Sequence, residues 1–167
     1  MNFQFYLEKL EDSDLFKEFM KENLSAFLCS CFFSIDKKEN NNQIHFDFYV
    51  PNDNKMFSFK LEGEIEKTPI ETITEIPEKI PKDIDFNLEE VEKLIMTEME
   101  NKKITNKVQK IFLSLQKKKE EVLLIGTVFI SSLAILRVDI DIKEKRVVSF
   151  EKKSFFDMMR IVKKDDN

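Results

Sequence analysis

The amino-acid sequence predicts an α+β protein in which helices pack on antiparallel sheet. Alternation of apolar and polar residues, typical of strands with one buried face, covers much of the chain. Shorter stretches have apolar residues at helical spacing. The longest apolar run, 122–136, is shorter than the roughly 20 residues of a membrane-spanning helix, contains Gly126 and is rich in β-branched side chains. It therefore indicates two successive strands.

Residues 1–62 are predicted to form an N-terminal helix and a three-stranded meander. Ser13 can cap a helix from Asp14 to about Asn23, and the first nine residues either extend this helix or form a separate turn before it. Apolar and polar residues then alternate in three runs separated by polar turns, with Phe27 on the apolar side of the first run. These runs predict strands over 27–35, 44–50 and 57–61.

The next segment, 63–86, is predicted to be an extended connector, because it is interrupted by Pro69, Pro77 and Pro81. Isoleucines recur along it, and a flexible linker would not need them. We expect the connector to be strapped onto the surface of the fold or to act as an interaction strip. The candidate contacts for a protein partner are Ile70, Ile73, Ile76 and Ile80.

Residues 87–162 are predicted to form a second α+β half, which can share one compact unit with the first. Asn87, followed three residues later by Glu90, resembles a capping box and marks the start of a helix over 88–100. The apolar stripe of this helix is expected to pack on the sheet. The stripe contains Leu88, Val91, Leu94, Ile95 and Met99.

The rest of this half is predicted to be mainly strands. Region 108–115 fits a helix or a strand equally well by its pattern. The apolar run and the alternation after it indicate two strands within 122–142, and 146–150 a further one. Ser154 can open a short final helix, and 163–167 form a polar tail.

Charge restricts the classes of partner. The net charge is −5, whereas a dedicated nucleic-acid binder needs a basic surface. The charge is uneven, because 62–100 holds thirteen Asp and Glu against four Lys, and 102–119 holds seven Lys and no acid. We interpret these lysines as a solvated face. The alternative is a nucleic-acid-associated protein in which Lys117, Lys118 and Lys119 contact an anionic partner.

No pattern of residues indicates a catalytic, cofactor or metal site. Cys29 and Cys31 lie on a predicted strand, and the one histidine, His45, falls on the opposite parity of the next strand, which does not make a four-ligand metal site. Asp139 and Asp141 fit the wet side of a sheet. The chain's two glycines are too far apart for a phosphate-binding loop. We predict no cofactor, and the alternative is an enzyme whose pocket the sequence does not reveal.

Short motifs in both halves carry a family resemblance. They are Tyr49-Val50-Pro51, Phe57-Ser58-Phe59, Leu115-Gln116, Ile130-Ser131-Ser132-Leu133, Val138-Asp139-Ile140-Asp141 and Ser154-Phe155-Phe156-Asp157. The chain resembles uncharacterised archaeal proteins with a PepSY-like C-terminal domain. The resemblance implies a helix before a small antiparallel sheet, which favours a strand over 108–115. It also implies a hairpin turn with positive φ at Lys145, where the family has glycine.

These observations favour a non-enzymatic protein-interaction or assembly module. PepSY-like domains are regarded as inhibitory or binding modules, often outside the cytoplasm. The N-terminus lacks the pattern of a secretory signal and the two cysteines suit a reducing compartment, so we expect a cytoplasmic location. We expect a protein partner or a homo-oligomer, and we expect neither nucleic acid nor a membrane as a partner.

Overall fold

The computed structural model describes residues 1–39, 41–71 and 75–154. The predicted α+β class with an antiparallel sheet is confirmed. The elements, in chain order, are α1 (Phe3–Asp12), α2 (Asp14–Glu22), β1 (Phe27–Asp36), β2 (Gln43–Val50), β3 (Lys55–Lys60), β4 (Glu66–Ile70), α3 (Leu88–Asn101), β5 (Val108–Lys118), β6 (Glu121–Ile130), β7 (Ala134–Asp141) and β8 (Arg146–Ser154).

All of these strands belong to one antiparallel sheet, with the order β4-β3-β2-β1-β5-β6-β7-β8. In each half of the chain, helical structure precedes a four-stranded meander. The first strands of the two meanders, β1 and β5, pair with each other in the centre of the sheet, where Phe33 lies opposite Leu113. The N-terminal meander therefore continues directly into the C-terminal one.

Ser13 separates two helices, which resolves the alternatives predicted for the first residues. Its backbone N–H donates to the Leu10 carbonyl at the end of α1, and its Oγ accepts a hydrogen bond of 3.2 Å from the Phe16 amide at the start of α2. Ser13 itself has an extended backbone, so the helical hydrogen bonding cannot run through it. The N-terminus thus forms its own helix, α1, which begins after the cap at Asn2.

The helices lie on one side of the sheet and form a single core with alternate strand residues. Under α2, the rings of Phe16 and Phe19 contact those of Phe48 and Phe59, with centroids 4.8–6.3 Å apart. The stripe predicted for α3 packs on this core, with Leu94 partly buried at its margin. The fully packed members of the stripe are Leu88, Val91, Ile95 and Met99.

The prediction of a three-stranded N-terminal meander is wrong, because β4 adds a fourth strand inside the predicted connector. β4 is an outer strand of the sheet, and its Pro69 lies opposite Phe57 of β3. An outer strand needs hydrogen-bond donors on one side only, so it tolerates proline. The prolines that indicate a connector therefore do not exclude a strand here.

Bulges shift the alternation in three strands, and the one in β5 lies between Val108 and Lys110. In β1 the register shifts between Leu28 and Ser30, and Leu28 packs in the core where alternation predicted Phe27. In β8, at the other outer edge of the sheet, Val148 lies between the paired residues Val147 and Ser149 and has no partner in the ladder. Alternation alone predicts none of these bulges.

The remaining predictions for the second half have different outcomes. The segment 108–115 lies within β5 and is a strand. Lys145 has a φ of 49°, in the left-handed region expected for the turn between β7 and β8. Ser154 is the last residue of β8. The rest of the predicted final helix and the tail 163–167 lie outside the described residues.

Candidate interaction face

The side of the sheet opposite the helices, here called the open face, is covered by no helix in the described part of the chain. Strand residues that alternate with core residues place their side chains on this face. In β7, for example, Val138 and Ile140 belong to the core, whereas Arg137 and Asp139 alternate with them. The open face therefore presents side chains from strands of both halves of the chain.

Four ring side chains form a row across the middle of the open face, here called the aromatic row: His45, Phe32, Phe112 and Phe129. They lie on the neighbouring strands β2, β1, β5 and β6. Successive ring centroids are 6.1, 5.7 and 5.4 Å apart, as in tilted and edge-to-face aromatic pairs. The Lys110 Nζ lies 5.1 Å from the centre of the Phe112 ring. These contacts hold the rings in defined positions.

The aromatic row remains accessible to solvent. Phe129 is 37% exposed, and Phe32 and Phe112 are half-buried. Ile135, which is also half-buried, lies directly opposite Phe129 and extends the apolar area onto β7. A contiguous apolar area of this kind on a protein surface is typical of an interaction site.

A polar depression of about 420 Å³ lies beside the aromatic row, between β6 and β8. Arg137 is exposed there, and no carboxylate of the described residues lies within ion-pair distance of its guanidinium. Glu151, directly opposite on β8, pairs instead with Lys153 at 3.3 Å. The Arg137 guanidinium is thus available to an acceptor on another molecule.

The chain also has side chains that could act as nucleophiles or metal ligands, but their surroundings do not favour either role. Burial raises the pKa of the Cys29 thiol to about 12 and raises the pKa of Cys31 well above its usual value, so both are poor nucleophiles. The His45 Nδ1 lies 3.4 Å from the Ser58 Oγ, a long contact. Among the described residues, no group of three or more His, Cys, Asp or Glu could hold a metal ion.

The isoleucines predicted as partner contacts occupy different environments. Ile80 is completely buried, and its amide donates to the Leu28 carbonyl at 2.9 Å, so it anchors the connector to the core. Ile70 lies half-buried in β4. Ile76 is 76% exposed, and Ile73 lies outside the described residues. The structure therefore does not bring the four together as one strip.

The lysines of 102–119 do not form one patch either. Lys102 caps the end of α3, whereas Lys117 lies near the far end of β5, an 11-residue strand about 35 Å long. Lys117 is 4.0 Å from Glu78 of the connector, and the Lys119 amide donates to the same carboxylate at 2.7 Å. Lys118 is exposed. Lys117 and Lys119 thus lie beside an acidic residue of their own chain.

The aromatic row was not predicted from the sequence. The sequence does contain a sign of it, because Phe32, Phe112 and Phe129 alternate with core residues along their strands and therefore lie on the side of the sheet away from the core. A strand whose outer face is exposed to solvent normally carries polar residues at such positions. Large apolar residues at the outer parity of three neighbouring strands therefore mark an exposed aromatic area.

Comparison with protein families and with curated proteins finds no match. Among solved structures, the fold is similar to the crystal structure of a "putative lipoprotein" from Clostridium difficile 630. The similarity has a TM-score of 0.57 at 14% sequence identity, and it covers 84% of this chain and 91% of that one. It therefore extends to the fold alone. No helix in the described ranges is long and apolar enough to cross a membrane.

Proposed function

We propose that this chain is a protein-interaction module whose open face binds a second, different protein. The observation that carries the proposal is the aromatic row, which is accessible at the middle of a sheet face that no helix of the described residues covers. Binding interfaces typically combine aromatic residues and arginine at the centre with a polar rim. The open face has this combination in Phe112, Phe129 and Arg137, which has no ion pair among the described residues.

The same residues define the chemistry of the partner. The aromatic row favours a partner that presents apolar side chains, since burial of exposed rings contributes most of the binding energy. The Arg137 guanidinium favours a carboxylate on the partner, placed beside those apolar groups so that it can accept two hydrogen bonds. Few side chains need reorganisation, because the rings already contact each other.

Crosslinking in a lysate of the source organism tests this proposal when matched variants are compared. Phe129→Ser and Arg137→Ala remove the two kinds of contact from the open face, and Met96→Ser removes a side chain of similar exposure, 45%, from α3 on the other side of the sheet. A partner of the open face should be lost with both open-face variants and retained with Met96→Ser. Loss of a central contact of this type typically costs about 2 kcal/mol or more, about 30-fold in affinity.

Two outcomes contradict the proposal. Proteins captured equally by all variants would bind elsewhere, and self-association that depends on Phe129 would make the occupant a second copy of this chain. Sedimentation velocity of the purified chain and of Phe129→Ser separates these two outcomes.

We further propose that the C-terminal half has the PepSY-like arrangement. The order of α3 and the following meander supports it, as does the positive φ of Lys145. We also predict a non-enzymatic role and a cytoplasmic location. Turnover in a broad substrate screen would contradict the non-enzymatic role.

A further inference from the structure

A small apolar slot lies at the opposite side of the sheet from the aromatic row. It has a volume of about 150 Å³ and lies between the first half of α3 and the end of β7. Val91, Leu94, Ile140 and Ile142 supply its apolar wall. A cavity of this size accommodates one group as large as a benzene ring, which corresponds to a single leucine or phenylalanine side chain.

The slot lies beside a larger cleft of about 480 Å³, since Asp141, Ile142 and Lys145 line both. The cleft lies between the connector, the β5–β6 hairpin and the β7–β8 turn. Five carboxylates line it against two lysines: Asp83, Asp85, Glu120, Glu121 and Asp141 against Lys143 and Lys145. Slot and cleft together form one groove with an apolar end and an acidic end.

Most carboxylates at the acidic end have no ion-pair partner among the described residues. Lys145 is engaged with Glu90 at 3.2 Å, at the rim of the slot. Among the described residues, Asp83, Glu120 and Glu121 have neither an ion pair nor a hydrogen-bonding partner for their carboxylates. The groove therefore has an excess of negative charge directly beside an apolar pocket.

We infer that this groove binds a basic peptide segment of a partner protein, with one large apolar side chain in the slot and neighbouring lysine or arginine side chains in the acidic cleft. The negative charge of the cleft favours a positively charged peptide over a negatively charged one. The slot favours a peptide with a large apolar side chain between its basic residues. This site is separate from the open face, and it does not depend on the function proposed for that face.

Two-dimensional NMR of the isotopically labelled full chain tests the inference with three peptides: acetyl-Lys-Leu-Lys-Lys-amide, its glutamate counterpart acetyl-Glu-Leu-Glu-Glu-amide, and acetyl-Lys-Gly-Lys-Lys-amide. The first should shift the resonances of Leu94, Ile140 and Ile142, and added salt should weaken its binding. The glutamate peptide should have no effect. The glycine peptide should bind at least about tenfold more weakly, because it cannot fill the slot.

Two variants locate the binding. Leu94→Phe fills the slot, and the pair Glu120→Gln with Glu121→Gln removes two exposed charges without touching the core. We expect the first to abolish binding and the second to weaken it by about 2- to 30-fold, as two exposed ion pairs would. Phe129→Ser on the open face should leave peptide binding unchanged.

Any of three results overturns the inference. They are the absence of shifts at millimolar peptide, equal shifts from the glutamate peptide, and either shifts that persist in Leu94→Phe or an affinity that is unchanged in the pair Glu120→Gln with Glu121→Gln. Shifts centred on Phe129 would likewise overturn it. Because Phe129→Ser removes the open-face contact and spares the groove, failure here is distinguishable from failure of the proposed function.

Discussion

Replacement of Gly126 by alanine should destabilise the protein by about 1–2 kcal/mol. An added Cβ would lie 2.6 Å from Val138 Cγ2 and 2.8 Å from Leu113 Cδ2, well inside normal contact distance. Overpacking a core typically costs about 1–3 kcal/mol, and the exchange of glycine for alanine recovers about 0.4–1 kcal/mol through the unfolded chain. Val138 is β-branched, so its methyl group cannot turn away without leaving the preferred rotamer.

Urea unfolding followed by circular dichroism measures this effect. With a slope of about 2 kcal/mol per M, the midpoint should fall by about 0.5–1 M. Val138→Ala provides room for the new methyl group, so Gly126→Ala should cost less in a Val138→Ala background, with a coupling of at least about 0.5 kcal/mol.

Gly63→Ala is the contrasting control. Gly63 has a φ of 71° and no atom within 4 Å of an added Cβ, so alanine there strains the backbone and meets no neighbour. Val138→Ala should not rescue this variant. Unchanged or increased stability of Gly126→Ala, or the same penalty in both Val138 backgrounds, would refute the reasoning from close contact.

Four further predictions concern single features. Ellman's reagent at pH 8 should leave both thiols of the folded protein unmodified, given the pKa of about 12 for Cys29, and should modify both after unfolding; rapid labelling of the native state would contradict this. The backbone amides of residues 39 and 38 chiefly lower the pKa of Asp36, so its contribution to stability is present at neutral pH and disappears as the pH falls through the lowered value. Asp36→Asn should therefore be less stable than wild type at pH 7 and equally stable in strong acid, and a difference that persists in acid would exclude this cause. Replacement of the three lysines at 117–119 by glutamine should change the free energy of unfolding by less than about 1 kcal/mol and leave nucleic-acid binding negligible. If the wild type instead bound RNA or DNA and this variant did not, the nucleic-acid alternative would be favoured. The logarithm of the binding constant should then fall with the logarithm of the salt concentration, with a slope near −0.7 per phosphate contacted on a single strand. Ile80→Ala should lower the unfolding free energy by about 2–5 kcal/mol, measured in urea, because the side chain is fully buried; a loss below 1 kcal/mol would place it outside the core.

Local patterns predict most of the elements. The spacing around Phe16 and Phe19 and the stripe of α3 identify helices, and alternation identifies β2, β3 and β7 within a few residues. These patterns succeed because each element buries one side in the same core. Region 108–115 satisfies both periods, and only its pairing with β1 and β6 makes it a strand.

Features that depend on distant partners are not predictable from local pattern. β4 is five residues long and contains Pro69, and its strand character comes from pairing with β3. The central pairing joins Phe33 to Leu113, residues far apart in the chain, which no periodicity indicates.

The candidate site has the same limitation. The aromatic row exists because β1, β5 and β6 become neighbours, so Phe32, Phe112 and Phe129 are unrelated in the sequence and adjacent only in the sheet. Their parity is the sequence signal, but it becomes informative only when the order of the strands is known.

The outer strands of the sheet influence how the protein behaves at high concentration. A free strand edge presents unpaired backbone groups, and another chain can extend the sheet there. One edge carries Pro69, which has no amide hydrogen to donate, and the other carries the Val148 bulge together with Lys152 and Lys153. Proline, bulges and charged lysines all oppose strand addition. Growth of the sheet into fibres is thus disfavoured at both outer strands, so the partly exposed rings of the open face do not add to an edge that invites strand pairing.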